Sequence, residues 1–179
     1  MTLELGCGHG HFLTAYAAAY PGKLCIGIDI VGERIERAQR KRDRAQLDNL
    51  HFIRTDGNLF LSTLGTEPVI EEMFILFPDP WPKSRHHKHR ILQYSFLAAA
   101  AGAMVPEGML CFRTDYRPYF DEAASRFEEH PSWKLSHEPW PFEYQTVFQA
   151  RASAYFSLIA RTTPHRSSHK TDGEKPRAA

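Results

Sequence analysis

Short segments of β-forming residues alternate with helical segments along almost the whole chain, and this alternation restricts the fold more than any other feature. The order is typical of a mainly parallel sheet whose strands are joined by crossover helices. We predict strands at Thr2–Leu5, Leu24–Ile30, His51–Thr55, Met73–Phe77, Met109–Thr114, Trp133–His137 and Ala154–Ala160. We predict helices at about 11–20, 31–47, 58–64, 91–104 and 117–129. The expected fold is α/β, a mostly parallel seven-stranded sheet with helices on both faces.

The length of 179 residues and the hydrophobic content of 42% suit one domain with a single core. We assign residues 1–163 to this domain and interpret the polar segment 164–179 as a disordered tail. No stretch approaches the ~20 apolar residues of a membrane helix, and no signal-peptide pattern is present, so we expect a cytoplasmic protein without a membrane partner. The cysteines Cys7, Cys25 and Cys111 are widely spaced, which favours buried free thiols over disulfides or a zinc site.

A glycine-rich loop, LELGCGHGHF, joins the first predicted strand to the first predicted helix. Gly6, Gly8 and Gly10 allow a sharp turn and let a ligand approach the main chain near the positive end of that helix. The dinucleotide pattern G-x-G-x-x-G is not met, because His11 stands where its last glycine is required. Glycines of this kind also shape tight turns that bind nothing, so the loop alone leaves both interpretations open.

Acidic residues at successive strand ends favour a ligand pocket at the loop. Glu4 precedes the loop, Asp29 ends the second predicted strand, and Asp56 follows the third. A carboxylate about 20 residues beyond the last glycine, as Asp29 is, accepts both hydroxyls of a ribose. Three carboxylates without a basic residue in the loop would repel a pyrophosphate but suit an adenosine with an amino group and a sulfonium. S-adenosylmethionine is such a ligand.

Positive charge is concentrated in two segments, although the net charge is only +1. Residues 83–90 carry four Lys/Arg and three His without an acid, and residues 33–44 carry six Lys/Arg against three acids. We interpret the basic face of the helix at 31–47 as solvated surface. The block at 83–90 follows a strand end and fits the electrostatic footprint of a polyanion, with a solvated loop as the alternative. Its histidines lack the spacing of a metal site, and no metal is expected.

Four segments in this order, LELGCGHG, GIDI, FPDPWPKSRHHKHR and RTDY, resemble the bacterial tRNA (guanine-N7)-methyltransferase family over nearly the whole chain. The pattern P-D-P-W-x-K-x-R-H-x-K-x-R is the most specific of them. The resemblance implies a Rossmann-like class I methyltransferase. It also implies transfer of a methyl group from S-adenosylmethionine to N7 of a guanine in the variable loop of tRNA, with no DNA partner.

The resemblance implies a role for individual residues in the same segments. Expected cofactor contacts are Glu4, Gly6, Gly8, Gly10, Asp29, Asp56 and Asp79, of which Asp79 is also the expected catalytic residue. Expected substrate contacts are Lys83, Asp115, Thr146, Val147, Phe148 and Gln149. The positive charge of the block, and not the resemblance, leads us to expect contacts from Arg85, Lys88 and Arg90 to RNA phosphates.

The chemistry explains why one acid stands at the strand end. Guanine N7 already presents a lone pair in the ring plane, so no proton has to be removed before attack on the methyl carbon. The site must align donor and acceptor and provide a negative environment for positive charge that passes from sulfur to the base. We hypothesise that Asp79 or Asp115 holds the guanine edge and that Trp81 is a stacking surface for an extruded base.

The chain departs from the family pattern at residues 146–149, where TVFQ replaces Thr-Lys-Phe-Glu. Val147 removes a positive charge, and Gln149 retains hydrogen bonding but not a carboxylate. The first strand begins directly after Met1, so we expect that an upstream segment typical of the family is missing. Two alternatives remain open: a non-catalytic RNA-binding relative, and a methyltransferase of another substrate.

Overall fold

A computed structural model describes residues 1–163, in which seven strands form one sheet. The strands are β1 (Thr2–Leu5), β2 (Cys25–Asp29), β3 (Leu50–Arg54), β4 (Ile70–Leu76), β5 (Met104–Thr114), β6 (Trp133–Ser136) and β7 (Phe156–Thr162). The helices are α1 (His11–Ala19), α2 (Gly32–Ala45), α3 (Gly57–Thr63), α4 (Tyr94–Ala103), α5 (Arg117–Glu129) and α6 (Val147–Arg151), with a 3-10 helix at Ser84–His89. The predicted disordered tail, 164–179, lies outside the described residues.

The strand order is β3-β2-β1-β4-β5-β7-β6. Strands β1 to β5 pair in parallel, and β7 pairs antiparallel with both β5 and β6. This confirms the predicted α/β fold with a mostly parallel seven-stranded sheet. Predicted free thiols are also confirmed, because all three cysteines are buried and unpaired. No helix within residues 1–163 is long and apolar enough to cross a membrane.

Two strands begin at least three residues earlier than predicted. β4 begins at Ile70 and β5 at Met104, because Ile70 pairs with Met104 before the register shifts to Glu72 opposite Met109. The extra residues of β5 form a bulge that contains a proline and a glycine, two residue types that favour a break between elements. The short helix α6 was also not predicted. Its five residues give too little periodicity to be recognised in the sequence.

Successive side chains of each strand point to opposite faces of the sheet and so build two apolar layers. Leu3 and Leu5 of β1 join the layer under α3, α4 and α5. Between them, Glu4 points to the other face, where Cys7 and Phe74 pack with α1 and α2. The chain therefore places one acid of β1 on the face that the glycine loop and α1 cover.

The carboxyl ends of the parallel strands meet at one edge of the sheet. There the amide of Gly6 donates to the carbonyl of Ile28 over 2.8 Å, and the amide of Thr55 donates to that of Asp29 over 3.1 Å. On the other side, the amide of Phe77 donates to the carbonyl of Arg113 over 2.7 Å. The loops that follow β1, β2, β3, β4 and β5 consequently share this edge, where ligands bind in open α/β sheets.

Candidate active site at the carboxyl edge of the sheet

The glycine loop after β1 adopts a backbone that favours glycine at three positions. Gly6, Gly8 and Gly10 have φ of +71°, +53° and +68°, in the left-handed region. At Gly10 a Cβ would also lie 2.5 Å from the ring of Phe52, so this residue lets the loop close onto the sheet. At Gly6 and Gly8 nothing lies within 4 Å of a Cβ. The loop thus packs tightly at one end and leaves its main chain open at the other.

Asp29 fixes the loop from the end of β2. Its Oδ2 accepts from the amide of Gly8 over 3.0 Å, and its Oδ1 accepts from the amide of Val31 over 2.8 Å. The carboxylate is buried, with Arg34 3.6 Å from Oδ2. Because a carboxylate offers about four acceptor positions, Asp29 can still accept from a ligand while it holds the loop.

Glu4, on β1 just before the glycine loop, is buried without full compensation. Burial raises its pKa to about 8, a hydrogen bond with the backbone of Leu13 lowers it in part, and the charge of Asp29 raises it further. Within residues 1–163 its Oε2 has no hydrogen-bond partner. Buried polar atoms are rarely left unpaired, so this oxygen is an acceptor in place for a ligand that brings donors or positive charge. An amino and sulfonium ligand meets that requirement.

Asp56 lies at the next strand end and also begins α3. Its Oδ1 accepts from the amides of Asn58 and Leu59 over 2.9 and 3.2 Å, as an N-cap does. The side chain is exposed at the edge it shares with Asp29. The structure therefore brings three of the predicted acids, Glu4, Asp29 and Asp56, to neighbouring strand ends.

The Pro-Asp-Pro-Trp turn follows β4 at the same edge. Phe77 and Trp81, on either side of it, have φ of +50° and +44°, which is uncommon for bulky residues and often marks a functional site. Asp79 stands exposed at the centre of the turn. Trp81 packs against His86 and His89 with ring centroids 5.7 and 5.1 Å away, so part of its predicted stacking surface is already covered.

Arg90, predicted to contact RNA phosphate, is buried rather than on the surface. Its side chain is 0% exposed and forms an ion pair with Glu122 of α5. It also donates to the carbonyl of Pro80 over 2.8 Å, and its guanidinium carbon lies 4.8 Å from the ring centroid of Tyr119. Arg90 therefore ties the Pro-Asp-Pro-Trp turn to α5. No local pattern indicates this role, because the ion-pair partner lies 32 residues away.

The other cations of the block face solvent. Lys83 precedes the 3-10 helix, and Arg85 and Lys88 lie on it; all three are exposed. Arg90 follows this helix directly but is buried. Arg85 and Lys88, which we predict to contact phosphates, are therefore accessible.

A second buried arginine, Arg113, was not predicted from the sequence as a residue of the site. It is 4% exposed near the end of β5, and its guanidinium pairs with both oxygens of Glu143 over 3.0 and 3.2 Å. It also donates to the side-chain oxygen of Gln149 over 3.2 Å and to Ser157 Oγ over 2.9 Å. Since two parallel N–H to oxygen bonds fix geometry, Arg113 anchors the segment that contains residues 146–149. Its position two residues before Asp115 was the available signal.

Two aromatic rings lie against the same guanidinium. Trp140 lies with its ring centroid 3.9 Å from the guanidinium carbon of Arg113, and Tyr155 lies 4.8 Å from it. Such stacking suits a planar cation better than an ammonium. The segment between β6 and β7 is thereby held over the tip of β5, next to the exposed Asp115.

The Thr-Val-Phe-Gln element forms the start of α6 beside the Pro-Asp-Pro-Trp turn. Thr146 caps the helix, its Oγ1 accepting from the amide of Gln149 over 3.1 Å. Val147 and Phe148 are exposed, and the ring centroid of Phe148 lies 6.5 Å from that of Phe77. Gln149 bonds Arg113 and the hydroxyl of Tyr155, so it supports the loop from within. Predicted substrate residues thus lie around the turn that carries Asp79.

Titratable side chains elsewhere do not add a metal centre to this edge. Within residues 1–163, no three His, Cys, Asp or Glu side chains are grouped so that they could hold a metal ion. The arrangement is instead an acid-lined loop beside an exposed acid and a basic surface. The acid-lined loop suits a cationic ligand, and the basic surface beside it suits an anionic one.

Sequence comparisons place the chain among methyltransferases. It matches a family of putative methyltransferases over residues 1–154. It is 37% identical over 136 residues to the tRNA (guanine-N(7)-)-methyltransferase of Synechococcus sp. (strain JA-2-3B'a(2-13)), covering 76% of this chain and 57% of that protein. With the protein of the same name from Lactococcus lactis subsp. cremoris (strain MG1363), it is 32% identical over 174 residues, covering 90% of this chain and 80% of the relative. The chain spans little more than half the length of the first of these relatives.

Structural comparison supports the fold class. NSun6 from Pyrococcus horikoshii with SFG matches with a TM-score of 0.71, over 92% of this chain and 48% of that chain, at 15% sequence identity. A likeness at that identity shows the fold alone. The predicted Rossmann-like fold is confirmed by this match, and the similarity in sequence carries the assignment to a family.

Proposed function

We propose, since this chain belongs to the tRNA (guanine-N7)-methyltransferase family, that it transfers a methyl group from S-adenosylmethionine to N7 of a guanine in the variable loop of tRNA. The single observation that carries the proposal is the buried Oε2 of Glu4, which has no partner within residues 1–163. It lies beside an open glycine loop, at the edge where Asp79 stands exposed. Positive charge beside Glu4 would lower its raised pKa and stabilise the carboxylate, so this arrangement favours a cationic cofactor. The cytoplasm, where tRNA is modified, is the proposed location.

The cofactor is held by the loop and the acids of the first three strands. The cofactor lies against the open main chain at Gly6 and Gly8. Asp29 accepts from the hydroxyls of its ribose, and Glu4 accepts from its cationic end. Asp56 bounds the pocket on the side of β3. S-adenosylmethionine supplies, when bound, a methyl group activated by its attachment to a sulfonium.

The protein has little proton chemistry to perform, because guanine N7 attacks with a lone pair that is already free. Asp79 provides negative potential next to the acceptor base. It stands in a turn that is flanked by two strained residues and that Arg90 ties to α5. A rigid turn matters here because alignment contributes most to such a transfer. Asp115 at the tip of β5 is the second acid available to the guanine edge.

The basic and aromatic surface around the turn receives the tRNA. Lys83, Arg85 and Lys88 are exposed and contact phosphates, which fixes the orientation of the RNA without reading its sequence. Val147 and Phe148 are exposed next to Phe77 and offer apolar contact to a base. Gln149 keeps its bond to Arg113 without a carboxylate, so the departure from the family pattern leaves this loop anchored.

Mass analysis of tRNA nucleosides tests the proposal. The protein is incubated with bulk tRNA and S-adenosylmethionine, and the digest is examined for 7-methylguanosine. We expect this product from the wild type, a large loss of it from Asp79→Asn, and no loss from Asp121→Asn, an exposed acid of α5 paired with Arg117.

The outcomes separate the alternatives. Binding of tRNA without any methylated nucleoside, by a protein that binds S-adenosylmethionine, would identify a non-catalytic RNA-binding relative. Methylation of a small-molecule or protein pool, with tRNA left unmodified, would identify another substrate. Either result would replace the proposed activity.

A further inference from the structure

The exposed side of α2 forms a cationic groove together with the end of the glycine loop. Arg37, Arg40, Lys41 and Arg44 recur at helical spacing along one side of the helix, where we expected only solvated surface. The groove has a volume of about 280 Å³, and its lining residues are His9, His11, Arg37, Arg40, Lys41 and Arg44. No acid lines it within residues 1–163.

The cations of the groove are only partly neutralised by the protein. Arg37 pairs with Glu33 one turn earlier on the helix, over 2.5 Å. Lys41 is different: its Nζ is shielded from solvent and has no hydrogen-bond partner within the described part of the chain. An ammonium that has lost water and gained no acceptor is unfavourable, so an anion in the groove would supply what the fold leaves out.

Burial is the main cause of the lowered pKa values of two lining groups, and neighbouring positive charge adds to it at His11. Burial lowers the pKa of Lys41. Burial, followed by the charges of Lys41 and His9, lowers the pKa of His11. Bringing several like charges together costs free energy in the free protein, which a bound polyanion would recover.

The position of the groove connects it to the reaction. His9 and His11 flank Gly10, whose missing side chain allows the loop to approach Ala38 of α2. The groove therefore begins beside the end of the glycine loop and runs along α2. In the strand order, β2 and α2 lie on one side of β1, whereas β4 and the basic block at 83–90 lie on the other. The glycine loop consequently separates two cationic surfaces.

We propose that this groove is a second tRNA-binding surface, in which the arginines and Lys41 of α2 neutralise phosphodiester groups of the RNA backbone. The inference rests on the proposed function, because it takes tRNA as the substrate. A large folded RNA can reach both sides of the glycine loop at once, and two separate phosphate contacts orient it better than one. A single nucleotide is too small to make both contacts.

The test compares two double variants that remove the same charge. Arg40→Gln/Arg44→Gln removes two cations from the groove, and Arg42→Gln/Arg117→Gln removes two cations that pair with Asp43 and Asp121 outside it. The dissociation constant of tRNA is measured over a range of salt concentrations. The slope of log affinity against log salt should fall in magnitude by about 1 for each phosphate that is no longer neutralised, thus by about 2 in the groove variant. The control variant should keep the wild-type slope.

Two further measurements make the result decisive. Both variants should retain the wild-type melting temperature and affinity for S-adenosylmethionine, since none of the four arginines is buried. Equal slopes in the two variants, with a wild type that binds and methylates tRNA, would overturn the groove and leave the activity intact. A wild type that does not bind tRNA at all would overturn both proposals.

Discussion

Two carboxylates at the glycine loop have opposite electrostatic surroundings, although both were predicted as cofactor contacts. Asp29 accepts from two backbone amides, so its charge is supported by the protein itself. Glu4 lies deeper, with one oxygen unpartnered within the described residues, and burial raises its pKa. The difference makes Glu4 the residue whose protonation state a ligand can change.

For Glu4→Gln, we predict a change in how stability depends on pH. In the wild type the folded carboxyl has a pKa of about 8 against an ordinary value of 4.5. Its contribution to stability is full below about pH 4.5 and is lost as pH rises through about 8, because over that range only the unfolded chain ionises readily. The variant cannot titrate there and should lose less stability as pH rises.

Urea unfolding of both proteins between about pH 5 and 8 checks this prediction. The lowered pKa values of His11 and His130 affect both proteins equally, so the difference between the two curves isolates Glu4. Parallel curves over the whole range would show that Glu4 ionises as freely in the fold as in the unfolded chain.

For Gly10→Ala, we predict a loss of about 1–3 kcal/mol in the free energy of unfolding. The new Cβ would lie 2.5 Å from the Phe52 ring, on a backbone with φ of +68° that alanine rarely adopts. Gly22→Ala is the matched control, because nothing lies within 4 Å of a Cβ there. Denaturant unfolding measures both, and equal stabilities would mean that the loop does not need its close approach to the sheet.

At the scale of elements, two buried arginines hold the segments that surround the site. Arg90 joins the Pro-Asp-Pro-Trp turn to α5, and Arg113 joins the segment with α6 to β5 and β7. Both segments lack regular hydrogen-bonded structure over most of their length, so side chains must fix them. A guanidinium suits this task because its five donors reach several acceptors at once.

For Arg90→Gln, we predict a loss of about 3 kcal/mol in the free energy of unfolding, since a buried ion pair loses one partner. Glu122 keeps Arg126 at 2.5 Å, which limits the loss. Arg85→Gln, an exposed change of the same charge, should alter stability by less than about 0.5 kcal/mol.

Chemical denaturation together with tRNA binding distinguishes the two possible roles of Arg90. If Arg90→Gln kept wild-type stability but reduced the salt dependence of tRNA binding, Arg90 would contact phosphate after all. The burial of its side chain leads us to expect the reverse pattern.

For the whole molecule, we predict that S-adenosylmethionine raises the thermal unfolding midpoint. The loop and acids proposed to receive it follow β1, β2 and β3, so binding to the folded state alone would stabilise the whole sheet. At a concentration of 100 times Kd the gain is about 2.7 kcal/mol, which corresponds to roughly 5–10 °C for a chain of this size.

A thermal melt with and without the cofactor measures this effect. Asp29→Asn should show a smaller shift, because it alters the carboxylate that holds the loop and that we propose accepts from the ribose. Asp121→Asn, on the surface of α5, should show the wild-type shift. The absence of any shift in the wild type would argue against a cofactor site at this edge, whatever the protein does to RNA.

The sequence by itself determined the features that depend on neighbouring residues. The alternation of strands and helices, the glycine loop and the acids at strand ends follow from local patterns of side chains and backbone preference. All seven predicted strands exist, and the predicted acids lie at the edge where parallel strands end. The order of the strands, with β7 between β5 and β6, did not follow from those patterns.

Only the tertiary structure decided which charges are buried and which remain available. Arg90 and Arg85 look alike in the sequence, but one meets Glu122 from α5 and the other faces solvent. Likewise, the basic side of α2 forms a groove only together with His9 and His11 of the neighbouring loop. The physical reason is that burial and ion pairing depend on residues far apart along the chain, and local sequence patterns carry no information about those partners.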